Sequence, residues 1–335
     1  MEAKFYTKHE NGQLQCLLCP HECILKPDQA GICRVRKNME GVLISENYGN
    51  VCSLHLDPIE KKPLYHFYPG KNILSVGSVG CNLHCKFCQN WEISQTSVKD
   101  YPYLKEYSPE QILDIASSEG GNIGLAYTYN EPTVWFEFML DIAMKASEEG
   151  LKNVMVTNGF INPEPLKELL PYIHAFSIDL KAFTEAFYKH LTSSSLGPVL
   201  ETLKTVRASG RHLEITNLLI PDENDSEKDF RVMMQWIRDE LGSETILHIS
   251  RFFPTYKLIH NATPEKLLLH FYDIAKEYLH NVYLGNTQSD SGRNTTCPKC
   301  GQTLIERSGY KTEISGMTSE GECIKCSTIL SGISI

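Results

Sequence analysis

The sequence predicts an α/β protein: a partial TIM-type (βα)6 barrel, with a small cysteine-rich module before it and a zinc-ribbon-like module after it. Three observations predict this. Short apolar, β-branched runs alternate with longer segments of helical period through the middle of the chain, the pattern of repeated βα units around a parallel sheet. Each run exits into polar, chemistry-bearing residues, as expected where strand ends converge on one site. All but one of the 12 cysteines fall into three groups. These are Cys16, Cys19, Cys23 and Cys33; Cys81, Cys85 and Cys88; and Cys297, Cys300, Cys323 and Cys326. The expected domains are residues 1–70, 71–290 and 291–335.

In chain order, strands are expected at 73–79, 122–128, 153–157, 175–180, 212–220, 246–252 and 282–285. Helices are expected between them at 109–118, 134–149, 163–170, 184–191, 199–209, 227–241 and 264–279. Ser108-Pro109-Glu110 and Thr263-Pro264-Glu265 each place a capping hydroxyl before a first-turn proline. The first strand leads into three cysteines and the second into Thr128-Tyr129-Asn130-Glu131-Pro132. The third leads into Thr157-Asn158-Gly159 and the fourth into Asp179-Leu180-Lys181. The later runs carry Glu214, Thr216 and Asn217, then His248, Ser250 and Arg251, then Gly285-Asn286-Thr287. Asn-Gly alone is a common turn, and Asp-x-Lys alone is often a solvated pair. Polar chemistry at every exit points to one central site.

A chain of 335 residues accommodates one large α/β domain with small appended modules. The net charge of -9 and pI near 5.8 argue against a grip on nucleic acid by long-range attraction. The first residues are polar, without a signal-peptide core, and no apolar run is long enough to span a bilayer. A soluble, cytoplasmic protein is expected. In that setting clustered cysteines read as metal ligands rather than disulfides. Cys52, the isolated one, reads as a small buried hydrophobe.

The most specific motif is Gly80-Cys81-Asn82-Leu83-His84-Cys85-Lys86-Phe87-Cys88-Gln89-Asn90, a C-x3-C-x2-C loop directly after the first strand. Three thiolates on one short loop hold three irons of a cubane [4Fe–4S] cluster and leave the fourth open. Electron-transfer clusters use four cysteines, so chemistry at the iron is expected here. The competing reading is a zinc site completed by His84, but zinc favours paired knuckles.

At the C-terminal end, Cys297-Pro298-Lys299-Cys300 and Cys323-Ile324-Lys325-Cys326 are two C-x2-C knuckles, a zinc-ribbon pattern. From Arg293 onward five basic residues face four acidic ones, so a structural or docking lid is favoured over a nucleic-acid interface. The N-terminal set, Cys16-x2-Cys19-x3-Cys23-x9-Cys33, suits either zinc or a second [4Fe–4S] cluster, with His21 as a spare ligand. The zinc or structural reading is narrowly preferred. The block from Lys61 to Gly70, with Tyr65, His66 and Tyr68, either lines the pocket or is a packed connector.

The cysteine loop, with the aromatic Phe87 before its third cysteine, resembles the radical S-adenosylmethionine (SAM) superfamily. The branch it resembles contains the pyruvate formate-lyase activating enzyme. More closely, the chain resembles the radical SAM protein of the AmmeMemoRadiSam system. That match is carried by Lys62-Pro63-Leu64-Tyr65-His66-Phe67-Tyr68-Pro69-Gly70, Gly80-Cys81-Asn82-Leu83, Phe87-Cys88-Gln89-Asn90, Thr128-Tyr129-Asn130-Glu131-Pro132, Asp179-Leu180-Lys181 and Gly285-Asn286.

The resemblance implies a radical SAM barrel in which SAM chelates the open iron. Asn130-Glu131 then occupies the place of the superfamily's Gly-Gly-Glu motif, with Glu131 accepting from the SAM amino group. Val156 stands where the activating enzymes carry an Asp before Thr-Asn-Gly, which shifts weight to Asn158. Asp179 is implied to accept from ribose hydroxyls, Lys181 to pair with the SAM carboxylate, and His248 to face the adenosine. His248 also reads as a packed strand histidine.

The implied reaction is reductive cleavage of SAM to a 5′-deoxyadenosyl radical that abstracts hydrogen from an unidentified substrate. The electron comes from a flavodoxin- or ferredoxin-type donor. Memo-like and AMMECR-type proteins are the implied partners. Activation of a glycyl-radical enzyme is the alternative. A non-catalytic metal scaffold for a protein or RNA is the alternative from another class.

Overall fold

The structure is a computed structural model that describes residues 1–330 and 332–335. At its centre lies an eight-stranded sheet. Its strands are β1 (Ser53–Pro58), β2 (Asn72–Gly77), β3 (Asn122–Tyr127), β4 (Lys152–Thr157), β5 (Ala175–Asp179), β6 (His212–Leu219), β7 (Ile246–Arg251) and β8 (Asn281–Gly285). They lie side by side in chain order. Strands β2 to β8 are parallel, and β1 runs antiparallel to β2. Among the described residues the two edge strands do not pair with each other, so the sheet is open.

Parallel neighbours need long crossovers, and each crossover from β2 onward carries a helix. These are α1 (Pro109–Ser118), α2 (Phe136–Glu148), α3 (Pro163–Leu169), α4 (Gly197–Ala208), α5 (Glu227–Trp236) and α6 (Glu265–Lys276). The result is six βα units followed by one more parallel strand. Ser108 caps α1 as expected: its hydroxyl accepts from Gln111 N, and Gln111 Oε1 accepts from Ser108 N at 2.8 Å. Thr263 does not cap α6. Its buried hydroxyl donates to Leu219 O and accepts from Phe252 N, so it joins the exits of β6 and β7 instead. A tertiary pair of bonds has outcompeted the local cap.

The strand period of two splits the sheet into two faces. Leu74, Val76, Leu125, Tyr127, Met155, Phe176, Ile178, Ile215, Leu247 and Ile249 belong to the large core shared with the helices. Ile73, Ala126, Val154 and Ala175 point the other way and pack on Ile59, Leu64 and Phe67. Those three come from the segment 59–71, which joins the end of β1 to the start of β2 and therefore covers the N-terminal ends of the parallel strands.

Glu214, fully buried on β6, fastens that segment. It accepts from Tyr65 N at 2.9 Å, His66 N at 2.8 Å, His212 Nε2 at 2.8 Å and His248 Nε2 at 2.6 Å. Burial alone would raise its pKa, but His212 and His248 hold it well below the usual carboxylate range.

The C-terminal residues form a small antiparallel sheet of β9 (Thr295–Thr296), β10 (Thr303–Ser308) and β11 (Lys311–Ile314). It seats against the same segment. Arg307 Nη2 donates to Tyr65 O at 2.7 Å, Thr312 Oγ1 to Glu60 Oε1 at 2.7 Å, and Ser334 N to His66 O at 2.8 Å. At the other end of the chain, Arg36 donates twice to Glu137 of α2, at 3.0 and 2.8 Å, in a buried ion pair that ties the cysteine-rich N-terminal residues to the helical layer. No helix among the described residues is long and apolar enough to cross a membrane.

The sequence reading assigned no strand before residue 73. Ser53–Pro58 escaped it because His55, Asp57 and the terminal proline interrupt the apolar pattern, which an edge strand tolerates.

Candidate active site

The cysteine loop leaves the C-terminal end of β2 through Gly80, whose φ of +88° suits glycine alone. A Cβ there would sit 2.6 Å from Cys33 O. The loop is pinned beyond Gly80 by His84 N donating to Thr192 O and Lys86 N donating to Leu191 O, at 2.8 and 2.9 Å. Cys81, Cys85 and Cys88 are half-buried to buried. Burial pushes all three thiols up, Cys85 to about 12. The surroundings therefore do not supply thiolates. A bound metal must displace the protons, as coordination to a cation does.

Residues from three further strand exits close around this loop. After β3, Asn130 Nδ2 donates to Gly80 O at 2.8 Å and its Oδ1 accepts from Ser78 N at 3.2 Å. Both polar atoms of Asn130 thus serve to hold the approach to Cys81. Glu131, 2% exposed, accepts from Thr133 N, Thr133 Oγ1, Thr157 Oγ1 and Asn158 N between 2.6 and 3.0 Å. Every one of those donors is neutral. Burial raises the Glu131 pKa in spite of them.

After β4, Asn158 Nδ2 donates to Asn82 Oδ1 at 2.9 Å and reaches Cys81 Sγ at 3.9 Å. After β5, Lys181 Nζ donates to Asp179 Oδ2 at 2.7 Å and lies 5.9 Å from the Phe87 ring centre. Burial would lower the Lys181 pKa, but Asp179 and the Cys85 sulfur hold it above the ordinary lysine value. Lys181 is therefore a covered cation beside Cys85.

Eight of the nine central residues predicted from sequence meet here: Cys81, Cys85, Cys88, Asn130, Glu131, Asn158, Asp179 and Lys181. His248 does not. It is bound to Glu214 and packs edge-on against Tyr65, with ring centres 4.7 Å apart. Among the described residues it makes no hydrogen bond or ring contact with the other eight. The packed-histidine reading describes it, because a buried glutamate and two aromatic rings already occupy its faces.

Sequence reasoning missed Asn82, buried between two of the cysteines. Its side chain accepts from Asn158 and donates to Phe160 O at 2.7 Å, and its backbone carbonyl accepts from His21 Nε2 at 2.8 Å. Its position inside the motif was the available signal. Also missed was a trio behind Gly77, in which Asp57 and Lys62 are buried and Tyr129 is half-buried. Tyr129, at φ +74°, and Lys62 both donate to Asp57 Oδ2 at 2.7 Å. With Lys62, Leu64, His66 and Phe67 all buried, the Lys61–Gly70 block is a packed connector.

The outlying cysteines differ from one another. The sulfurs of Cys297, Cys300, Cys323 and Cys326 all lie within 4.8 Å of one another, with two pairs at 3.6 Å. Cys16, Cys19, Cys23 and Cys33 line a common cavity with Leu18 and Asn82. Cys52 donates its thiol to Ser78 O at 2.8 Å.

The Radical SAM superfamily model matches residues 75–236. An uncharacterised protein of Methanocaldococcus jannaschii is 45% identical over 321 residues, covering 95% of each chain. The pyruvate formate-lyase-activating enzyme of Clostridium pasteurianum is 24% identical over 50% of this chain and 70% of its own. Among solved structures, a radical SAM methyltransferase from Sphaerobacter thermophilus shares the fold with a TM-score of 0.53, at 16% identity over 71% of each chain.

Proposed function

The chain belongs to the radical SAM superfamily, and from that premise we propose that Cys81, Cys85 and Cys88 hold a [4Fe–4S] cluster with one iron reserved for SAM. The observation that supports this reading is the meeting of the three-cysteine loop with Asn158 and the Asp179–Lys181 pair at the C-terminal ends of β2, β4 and β5. The donor set fits the group: three sulfurs on one loop and a lysine whose charge burial does not extinguish. His84 Nε2 is bonded to Ile32 O at 3.2 Å.

When bound, the cluster and SAM supply one-electron cleavage of the sulfonium and a carbon radical that takes hydrogen from the substrate. The chain's own residues bind, orient and exclude. Lys181 pairs with the SAM carboxylate, and Asp179, 37% exposed at its side chain, accepts from the ribose hydroxyls. Glu131 has one bond on Oε2, which leaves room for the SAM ammonium. That ammonium is the cation the carboxylate lacks. Asn130 shapes the loop rather than touching SAM, and Asn158 steadies Cys81. Hydrogen bonds to Cys81 Sγ from Asn158 and from Leu83 N bear on the cluster's potential.

The substrate belongs to a pathway shared with Memo-like and AMMECR-type proteins, with a flavodoxin- or ferredoxin-type donor supplying the electron. The similarity to an activating enzyme favours a second reading, hydrogen abstraction from a backbone glycine of a partner. Val156, in the position of the activating enzymes' Asp, weighs against it. The four C-terminal cysteines hold zinc: a tetrahedral ion at about 2.3 Å from each sulfur sets sulfurs about 3.8 Å apart, close to the 3.6 Å of two pairs here.

The test is production of 5′-deoxyadenosine from SAM by the reduced, iron-loaded protein. Cys81→Ala, Cys85→Ala and Cys88→Ala should each abolish it, and survival in any of them would overturn the site. A glycine-centred EPR doublet on a candidate partner would select the activating-enzyme reading.

A further inference from the structure

We propose that Cys16, Cys19, Cys23 and Cys33 hold a second [4Fe–4S] cluster, rather than zinc, and that its ligand loops form one wall of the Cys81–Cys88 site. The first argument is the distance between sulfurs. One ion bound tetrahedrally at about 2.3 Å draws four sulfurs to about 3.8 Å from one another. The C-terminal set meets that condition, all four sulfurs lying within 4.8 Å of each other. Among the described residues no three of the N-terminal four do so, and neither do Cys81, Cys85 and Cys88. Yet the four N-terminal residues border one cavity, and two of their sulfurs converge on Gly31: a Cβ there would lie 3.6 Å from Cys23 Sγ and 3.7 Å from Cys33 Sγ. Sulfurs that face a shared space without being drawn together as the C-terminal four are suit a core of several metal atoms.

The donor chemistry agrees. Four cysteine sulfurs line the cavity, and four sulfurs are the set a [4Fe–4S] cluster takes without a histidine. His21 Nε2 is bonded to Asn82 O at 2.8 Å and its ring packs edge-on against Phe160.

The shared wall is built from three contacts. Cys33 O lies against Gly80, at 2.6 Å from where a Cβ would stand. His84 Nε2, from between Cys81 and Cys85, bonds to Ile32 O at 3.2 Å. His21, from between Cys19 and Cys23, bonds to Asn82 O. Each loop therefore lends a histidine to the other's backbone. Loading one site fixes carbonyls and cysteines that border the other.

The experiment is a count of iron, sulfide and zinc on full-length protein purified without oxygen, for the wild type and for the triple variant Cys81→Ala/Cys85→Ala/Cys88→Ala. The wild type should carry about eight iron and one zinc, and the triple variant about four iron with an EPR signal that SAM does not alter. Cys19→Ala/Cys33→Ala should lose about half the wild-type iron and keep its zinc. About four iron and two zinc in the wild type, or a triple variant devoid of iron, would overturn the proposal. If the double variant fails to fold, the triple variant still decides. The outcome is separable from the proposed function: eight iron without SAM cleavage would sink that reading alone, and SAM cleavage with four iron would sink this one alone.

Discussion

Glu131 and Glu214 are the same residue at opposite ends of one sheet, 2% and 0% exposed, and each accepts four hydrogen bonds. Their surroundings differ in one respect. Glu214 counts two histidines among its donors, and its pKa is held well below the usual range. Glu131 receives only backbone N–H groups and hydroxyls, and burial wins, raising its pKa. A buried carboxylate is costly unless a cation answers it. At the strands' N-terminal ends two imidazoles and two backbone N–H groups bond the carboxylate. Beside the cysteines the donors among the described residues are hydroxyls and backbone N–H groups, and on the proposed reading the SAM ammonium supplies the charge.

Removing each carboxylate sharpens the contrast. Glu214→Ala strands two histidines and two buried backbone N–H groups, and should cost about 3–5 kcal/mol of folding stability, as breaking a buried pair does. Denaturant unfolding measures it. A loss below about 1 kcal/mol would mean the network contributes little. Glu131→Gln keeps the three donors on Oε1 but turns its NH2 toward Asn158 N, so it should cost about 1–3 kcal/mol, less than Glu214→Ala, while weakening SAM binding by about tenfold to a hundredfold, the worth of a charge-assisted bond. Equilibrium binding of SAM to the loaded protein reads this. If Glu131→Gln unfolds as readily as Glu214→Ala and binds SAM normally, the contrast is false.

The smallest effect is one of sign. Glu214, with its pKa lowered, contributes stability that is complete above the unfolded value of about 4.3 and is lost only as pH falls below it. Glu131, with its pKa raised, costs stability above its folded pKa, and that cost is relieved as pH falls through it. Between pH 8 and 5 the Glu214 carboxyl itself takes up no proton, so its own titration should add no slope there. The gap between wild type and Glu131→Gln should shift in favour of the wild type on acidification. Unfolding midpoints across that range check it, and the opposite slope would place a hidden cation beside Glu131.

What could be seen in the sequence was local. The C-x3-C-x2-C loop and the alternating βα runs carry their information within a few residues, so the superfamily and the mostly parallel sheet were both legible. The strand at Ser53–Pro58 was not, because its place depends on pairing with β2 and not on its own pattern. The Thr263 cap was legible and did not form, since Leu219 O and Phe252 N offered the hydroxyl better partners across the fold. His248 belongs to Glu214 for the same reason: its assignment rests on Tyr65 and His66, far away in sequence, meeting β6 and β7. Asn158, which the resemblance implies for SAM, also holds Asn82 and reaches Cys81 Sγ through its amide, a bond between strand exits that no spacing rule reveals.

The clasp of Arg307, Thr312 and Ser334 on the segment 59–71 also sets a timetable. A ribosome makes residue 81 long before residue 334, so the cysteines of the active loop emerge while the far end of the sheet still lacks its cover. The last-made residues therefore close the end of the sheet opposite the cysteines, so metal can reach the active loop before that cover forms or after it.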